Sequence, residues 1–198
     1  DKAESRGLGD VYKRQMLTHH LLASAGKSVA LAGNIGESFA KAITTNSPDY
    51  WVLELSSFQL EDILSFHPRY AVMTSLTPDH LDRYNNSFDR YVDAKFCMLK
   101  NQTEEDYFIY DDTDDEIKLA LERHKPKSQR IPYTDKKIKD KRFNSIDMIR
   151  IDNPSLEGIH NSKNAMAAAT IAQLVNIRKQ TIRAVSYTHL TLPTTKNV

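Results

Sequence analysis

Four short apolar runs, "SVALAG", "YWVLEL", "RYAVMTS" and "DYFIYD", recur along the chain with a helical segment after each. Strands that are apolar at nearly every position have to be covered on both faces, and strand–helix alternation is how a parallel sheet meets that demand. The intervening segments fit: "MLTHHLLASAG" has helical apolar spacing and stops at Gly26, and "ESFAKAIT", "FQLEDILSF", "SFDRYVDAKFCMLKN" and "DDEIKLALERH" carry the same period. "SQRIPYT" and "SIDMIRID" read as strands on either side of the lysine-rich "DKKIKDKR", and "HNSKNAMAAATIAQLVN" is an alanine-rich helix. The expected fold is α/β: a mainly parallel sheet with helices on both faces, and a small antiparallel addition near the C-terminal end. The domain is expected over residues 16–183. Residues 1–15 and 184–198 lack its period and resemble translated adapter sequence, so the expectation is a domain cut at both ends, with disordered tails as the alternative.

Composition excludes several classes. A chain of 198 residues with 40% hydrophobic and 27% charged residues is ordinary for one globular domain. A formal net charge of +1 gives no polyanion-binding surface, so no nucleic acid partner is expected. The lone Cys97 cannot form an internal disulfide, and no apolar run approaches the roughly 20 residues of a membrane span. A cytoplasmic protein that makes no membrane contact is expected.

Candidate chemistry collects where strands end, because ligands of open parallel sheets bind beyond the carboxyl ends of the strands. Glu54 interrupts the apolar run Trp51-Val52-Leu53-Glu54-Leu55, where a carboxylate is costly unless something pairs with it. Ser56 and Gln59 have capping-box spacing, so strand, acid and helix start fall within six residues. Such a carboxylate suits Mg²⁺ carrying phosphate, or else is an edge-strand glutamate facing water. In "AGNIGE", Gly33 and Gly36 permit a tight turn beside the Asn34 amide. In "SLTPDHLDRY", Thr77 as N-cap and Pro78 as first helical residue place Asp79 and His80 in a first turn, where an imidazole either serves a ligand or is merely exposed. Lys95 shares a helix face with Phe88, Tyr91, Val92, Phe96 and Leu99. It either snorkels to water or, held inside, becomes an amine able to take up CO₂ as a carbamate. Asn161 and Asn164 share a face near the start of the last helix, as caps or as amides that read a nucleotide. "AGKS" is similar to the end of a phosphate loop, but Leu21 stands where that loop needs glycine, and Gly26 closes a helix instead of opening one.

Taken in order, "GNIG", "LELSSFQLE", "TPDHLDRY", the "AKF" lysine and "HNSKNAMAA" resemble the central domain of the Mur ligases, over about residues 16–183. The combination of "ELSSFQLE" and "DHLDRY" resembles the D-glutamate-adding type. The resemblance implies an ATP-dependent ligase in which a carboxylate of UDP-N-acetylmuramoyl-L-alanine is phosphorylated and the acyl phosphate is attacked by D-glutamate. It implies Glu54 on one Mg²⁺, and His80 with carbamylated Lys95 on a second. It further implies Asn34, Ser57 and His80 on the nucleotide-sugar, Asn161 and Asn164 along ATP, and catalytic roles for Lys95 and His80. A monomer is expected. The family's phosphate loop belongs directly before the helix near Met16, where this chain has "GDVYKRQ"; the 198 residues alone are therefore expected to have little or no ligase activity. The alternatives are another amino-acid-adding ligase of the superfamily, including the folylpolyglutamate type, and a non-catalytic nucleotide-binding module.

Overall fold

The computed structural model describes residues 14–34, 36–133, 142–143, 146–147 and 159–187. It divides into two compact units, Asp1–Glu54 with Lys136–Val198, and Leu55–Asp135.

In the first unit, helix α1 (14–24) ends at Gly26, whose φ of +75° lets the Lys27 N–H reach back to Leu22 O at 3.1 Å. Strand β1 (Val29–Gly33), helix α2 (Phe39–Thr45) and strand β2 (Tyr50–Glu54) follow, and β1 and β2 pair in parallel from Val29↔Tyr50 to Gly33↔Glu54. Phe39 of α2 packs its ring edge-on against Trp51 of β2, with centroids 5.2 Å apart. Gln15 joins α1 to both strands: its amide donates to Ala32 O and to Val52 O, each at 3.1 Å. The unit also holds α6 (Ile159–Leu174), with Ala165, Ala167, Ala168, Ala169 and Ala172 buried, and α7 (Lys179–Tyr187). Helix α7 runs through the expected boundary at residue 183, and the buried Gln15 lies just outside the expected start at residue 16.

In the second unit, α3 (Ser57–Glu61), β3 (Tyr70–Met73), a 3₁₀ turn (Leu81–Tyr84), α4 (Phe88–Phe96), a second 3₁₀ turn (Cys97–Leu99), β4 (Tyr107–Asp111), α5 (Asp115–His124) and β5 (Gln129–Tyr133) follow in order. The strands form a parallel sheet β3-β4-β5. Alternation along β3 and β4 sends Ala71, Met73 and Phe108 into a core with Tyr91, Val92 and Phe96 of α4 and Ile117, Ala120 and Leu121 of α5. Pro132 is admissible in β5 because, among the described residues, β5 is an edge strand of this sheet.

The α/β reading holds, with four differences. The described parallel strands form two sheets, β1-β2 and β3-β4-β5; hydropathy marks strands but not which edges pair. "SQRIPYT" supplies β5 of the parallel sheet, while the antiparallel pair is a short ladder of β6 (Arg142–Phe143) with β7 (Ile146–Asp147). Helix α3 stops at Glu61, well short of "FQLEDILSF", and the carbonyls of Leu64 and Phe66 accept from the Asn101 amide at 3.0 and 2.9 Å instead of continuing a helix. No α-helix starts at Pro78: the turn begins at Leu81, and the Leu76 N–H is taken by the Asp114 carboxylate at 2.9 Å. The tails, 1–13 and 188–198, and the lysine-rich turn up to residue 141 lie outside the described residues.

Candidate functional site

At the carboxyl end of β1 the chain turns at Gly33, with φ +127°. A Cβ there would lie 2.1 Å from Glu54 O, so only glycine lets the two strand ends approach this closely. The Asn34 N–H donates to Glu54 O at 2.8 Å, and the Gly33 N–H to Glu37 O at 3.0 Å. "GNIG" and the acid of "LELSS" thus meet at adjacent strand ends, with the Asn34 residue exposed and Glu54 half-buried. Glu54 Oε2 is shielded from solvent, which sets aside the reading of a glutamate pointing freely into water. The strand ends at Glu54 itself, one residue sooner than expected.

Ser57, His80 and Lys95 all belong to the second unit. Ser57 is buried in the first turn of α3, which opens with the expected capping-box pair: Gln59 Oε1 accepts from the Ser56 N–H at 2.9 Å and from its hydroxyl at 3.0 Å. His80 is left-handed, at φ +48°, with an exposed imidazole whose Nε2 lies 3.6 Å from Asp79 Oδ1. Lys95 is half-buried with its Nζ 4.9 Å from the centroid of the Tyr91 ring, a position between the two readings of the sequence. Tyr91 lies under the Lys95 ammonium, and burial first, and then the charge of Asp79 and the Tyr84 phenol, push its own phenol up from the ordinary value. The spacing of an aromatic four residues before a lysine on one helix face already brings Tyr91 and Lys95 together.

Asn164 is buried five residues into α6, so it is no helix cap, whereas the Asn161 side chain lies outside the described residues. Among the described residues no three His, Cys, Asp or Glu side chains gather as a metal cage. One shielded carboxylate at a strand end instead fits the way Mg²⁺ binds, through one or two protein carboxylates with phosphates and waters completing the shell. Among the described residues, no helix is long and apolar enough to cross a membrane.

A family model described as Mur ligase middle domain matches residues 15–172. The chain belongs to the Mur ligase family. Its Mur ligase relatives include the UDP-N-acetylmuramoylalanine--D-glutamate ligase of Christiangramia forsetii, 45% identical over an alignment of 179 residues that covers 84% of this chain and 40% of that protein. The protein of the same description from Bacteroides fragilis is 38% identical over 178 residues, again 84% and 40%. This chain therefore spans 40% of the length of these curated relatives. Among solved Mur ligase structures, a UDP-N-acetylmuramoyl-L-alanyl-D-glutamate--2,6-diaminopimelate ligase superposes with TM-score 0.62 at 16% identity, covering 87% of this chain and 42% of that one. A murein peptide ligase from Psychrobacter arcticus gives TM-score 0.56 at 13% identity, over 89% and 44%. These two likenesses establish the shared fold.

Proposed function

We propose that this chain is the ATP-handling middle domain of a cytoplasmic ligase that joins D-glutamate to UDP-N-acetylmuramoyl-L-alanine in peptidoglycan precursor synthesis. The observation that carries the reading is the meeting of Asn34 with Glu54 across a glycine that admits no side chain, in a chain 45% identical to a ligase of that description. In the proposed reaction a substrate carboxylate takes the terminal phosphoryl group of ATP. The amine of D-glutamate then attacks the acyl carbon, forming the C–N bond as phosphate leaves.

Chemistry of this kind asks the protein mainly to position groups and offset charge. Glu54 is assigned to a Mg²⁺ on the ATP phosphates, and His80 with carbamylated Lys95 to a second one; when bound, these ions neutralise the charge on phosphate. Asn34 offers an exposed amide, Ser57 a hydroxyl at the start of α3 and His80 an exposed imidazole to the nucleotide-sugar. Asn161 and Asn164 are assigned to ATP.

The test is a chimera in which this chain's matched segment replaces the corresponding segment of the Christiangramia forsetii protein. Phosphate release that depends on the nucleotide-sugar, ATP and D-glutamate is expected, and Glu54→Gln, His80→Asn and Lys95→Met should each lower it by about 10²–10³-fold, the scale of losing one charge-stabilising group. Incorporation of labelled bicarbonate at residue 95 is expected in the same chimera. A folded chimera that uses a different amino acid, or that keeps full activity in the three variants, would overturn the assignment.

A further inference from the structure

His80 is held in a segment with an unusual backbone. His80, Asn85 and Asn86 have φ of +48°, +53° and +58°, flanking the 3₁₀ turn Leu81–Tyr84. Non-glycine residues occupy this region at a cost and remain there only when their surroundings hold them. Inside the segment, the Arg83 N–H donates to His80 O at 3.1 Å and the Asn86 N–H to Leu81 O at 2.7 Å. Tyr84 anchors it from below, buried edge-on against Tyr91 with centroids 5.6 Å apart.

The outer anchor is Arg83. Its guanidinium carbon lies 5.2 Å from the centroid of the Phe58 ring, and its Nη2 lies 3.4 Å from Glu61 Oε2. Phe58 and Glu61 both belong to α3, whose first residue is Ser57. One side chain of "DHLDRY" thus touches two side chains of "SSFQLE", joining the helix that carries Ser57 to the turn that carries His80.

We propose that Arg83 is a positioning residue: through Phe58 and Glu61 it sets the placement of His80 relative to Ser57, and so the binding of the nucleotide-sugar by these two. The proposal rests on the substrate roles given to Ser57 and His80 above. A planar guanidinium can lie on a ring and pair with a carboxylate together, whereas a lysine ammonium retains the charge and loses the stack.

Two experiments test it. In the 198-residue chain, isotope-labelled histidine gives ring signals for seven histidines, with that of His80 assigned by its loss in His80→Asn. Arg83→Met and Arg83→Lys are expected to shift or broaden the His80 signal, and Glu61→Gln to shift it less in the same direction. In the chimera, Arg83→Met should raise KM for the nucleotide-sugar about tenfold, the scale of one exposed ion pair plus one cation–π contact, with KM for ATP unchanged. A lowered melting temperature with an unmoved His80 signal and an unchanged ratio of the two KM values would reduce Arg83 to a stabilising contact and overturn the proposal. Should Arg83→Met fail to fold, Phe58→Leu and Glu61→Gln decide by the same readouts. An inactive wild-type chimera would refute the ligase reading, while the histidine signals would still decide the clamp.

Discussion

Replacing Gly33 by alanine should unfasten the end of the β1–β2 ladder. The new Cβ would fall 2.1 Å from Glu54 O, 2.9 Å from Glu54 N and 3.0 Å from Glu54 C, all backbone atoms with no flexible end to yield. Relief requires parting the strands at the Gly33↔Glu54 pair, which places the Asn34 N–H bond to Glu54 O at risk. A side chain forced to φ +127° costs about 1–3 kcal/mol, and each backbone hydrogen bond lost costs about 0.5–1.5 kcal/mol more. The expected total is about 2–5 kcal/mol. Gly26→Ala is the control, because Gly26 is also left-handed but has nothing within 4 Å of its Cβ position. It should cost only the about 1–2 kcal/mol of a left-handed residue. Urea unfolding followed by Trp51 fluorescence reads the difference, since the one tryptophan sits in β2 against Phe39. Equal midpoints for the two variants would refute the argument that close backbone approach, beyond backbone handedness, demands glycine at residue 33.

Two further outcomes follow from the second unit. Burial opposes ionisation of the Asp106 carboxyl, but hydrogen bonds from His67 at 2.6 Å and from the Thr103 N–H and hydroxyl outweigh it and hold the carboxyl below the usual range. A depressed carboxyl stabilises the fold above its unfolded value of about 3.9 and ceases to as pH falls through the lower folded value. The stability gap between wild type and Asp106→Asn should therefore narrow as pH drops below about 4 in melts followed by circular dichroism; a gap that stays constant from pH 6 to 3 would contradict this. Asp114 caps α5 through the Glu116 and Ile117 N–H groups at 3.0 and 3.1 Å and also takes the Leu76 N–H. Asp114→Ala should cost about 1–2 kcal/mol and Asp114→Asn much less in thermal melts, and equal losses would mean that charge, not capping, is what Asp114 supplies.

Strand and helix identities were legible because burial imposes a period: β1 to β5 and α1, α2, α4, α5 and α6 lie where the apolar spacing puts them. What escaped was set by single long-range hydrogen bonds that no local pattern carries. The Leu76–Asp114 bond helps keep the stretch before His80 out of a helix, and Asn101 takes the carbonyls that a longer α3 would have used. Of the candidate site, Gly33 and Glu54 were readable from strand ends and turn chemistry. Arg83 was not, because its partners Phe58 and Glu61 stand more than twenty residues earlier and nothing in the spacing joins them.

Asn85 and Asn86 have a consequence for anyone comparing relatives. Two neighbouring amides a few residues after an imidazole invite interpretation as part of a binding pocket. Here main-chain handedness alone accounts for asparagine at both positions, since after glycine it is among the residues that tolerate that geometry best. Persistence of Asn or Gly at these two positions across species would thus record the shape of a bend, and would carry no information about cargo.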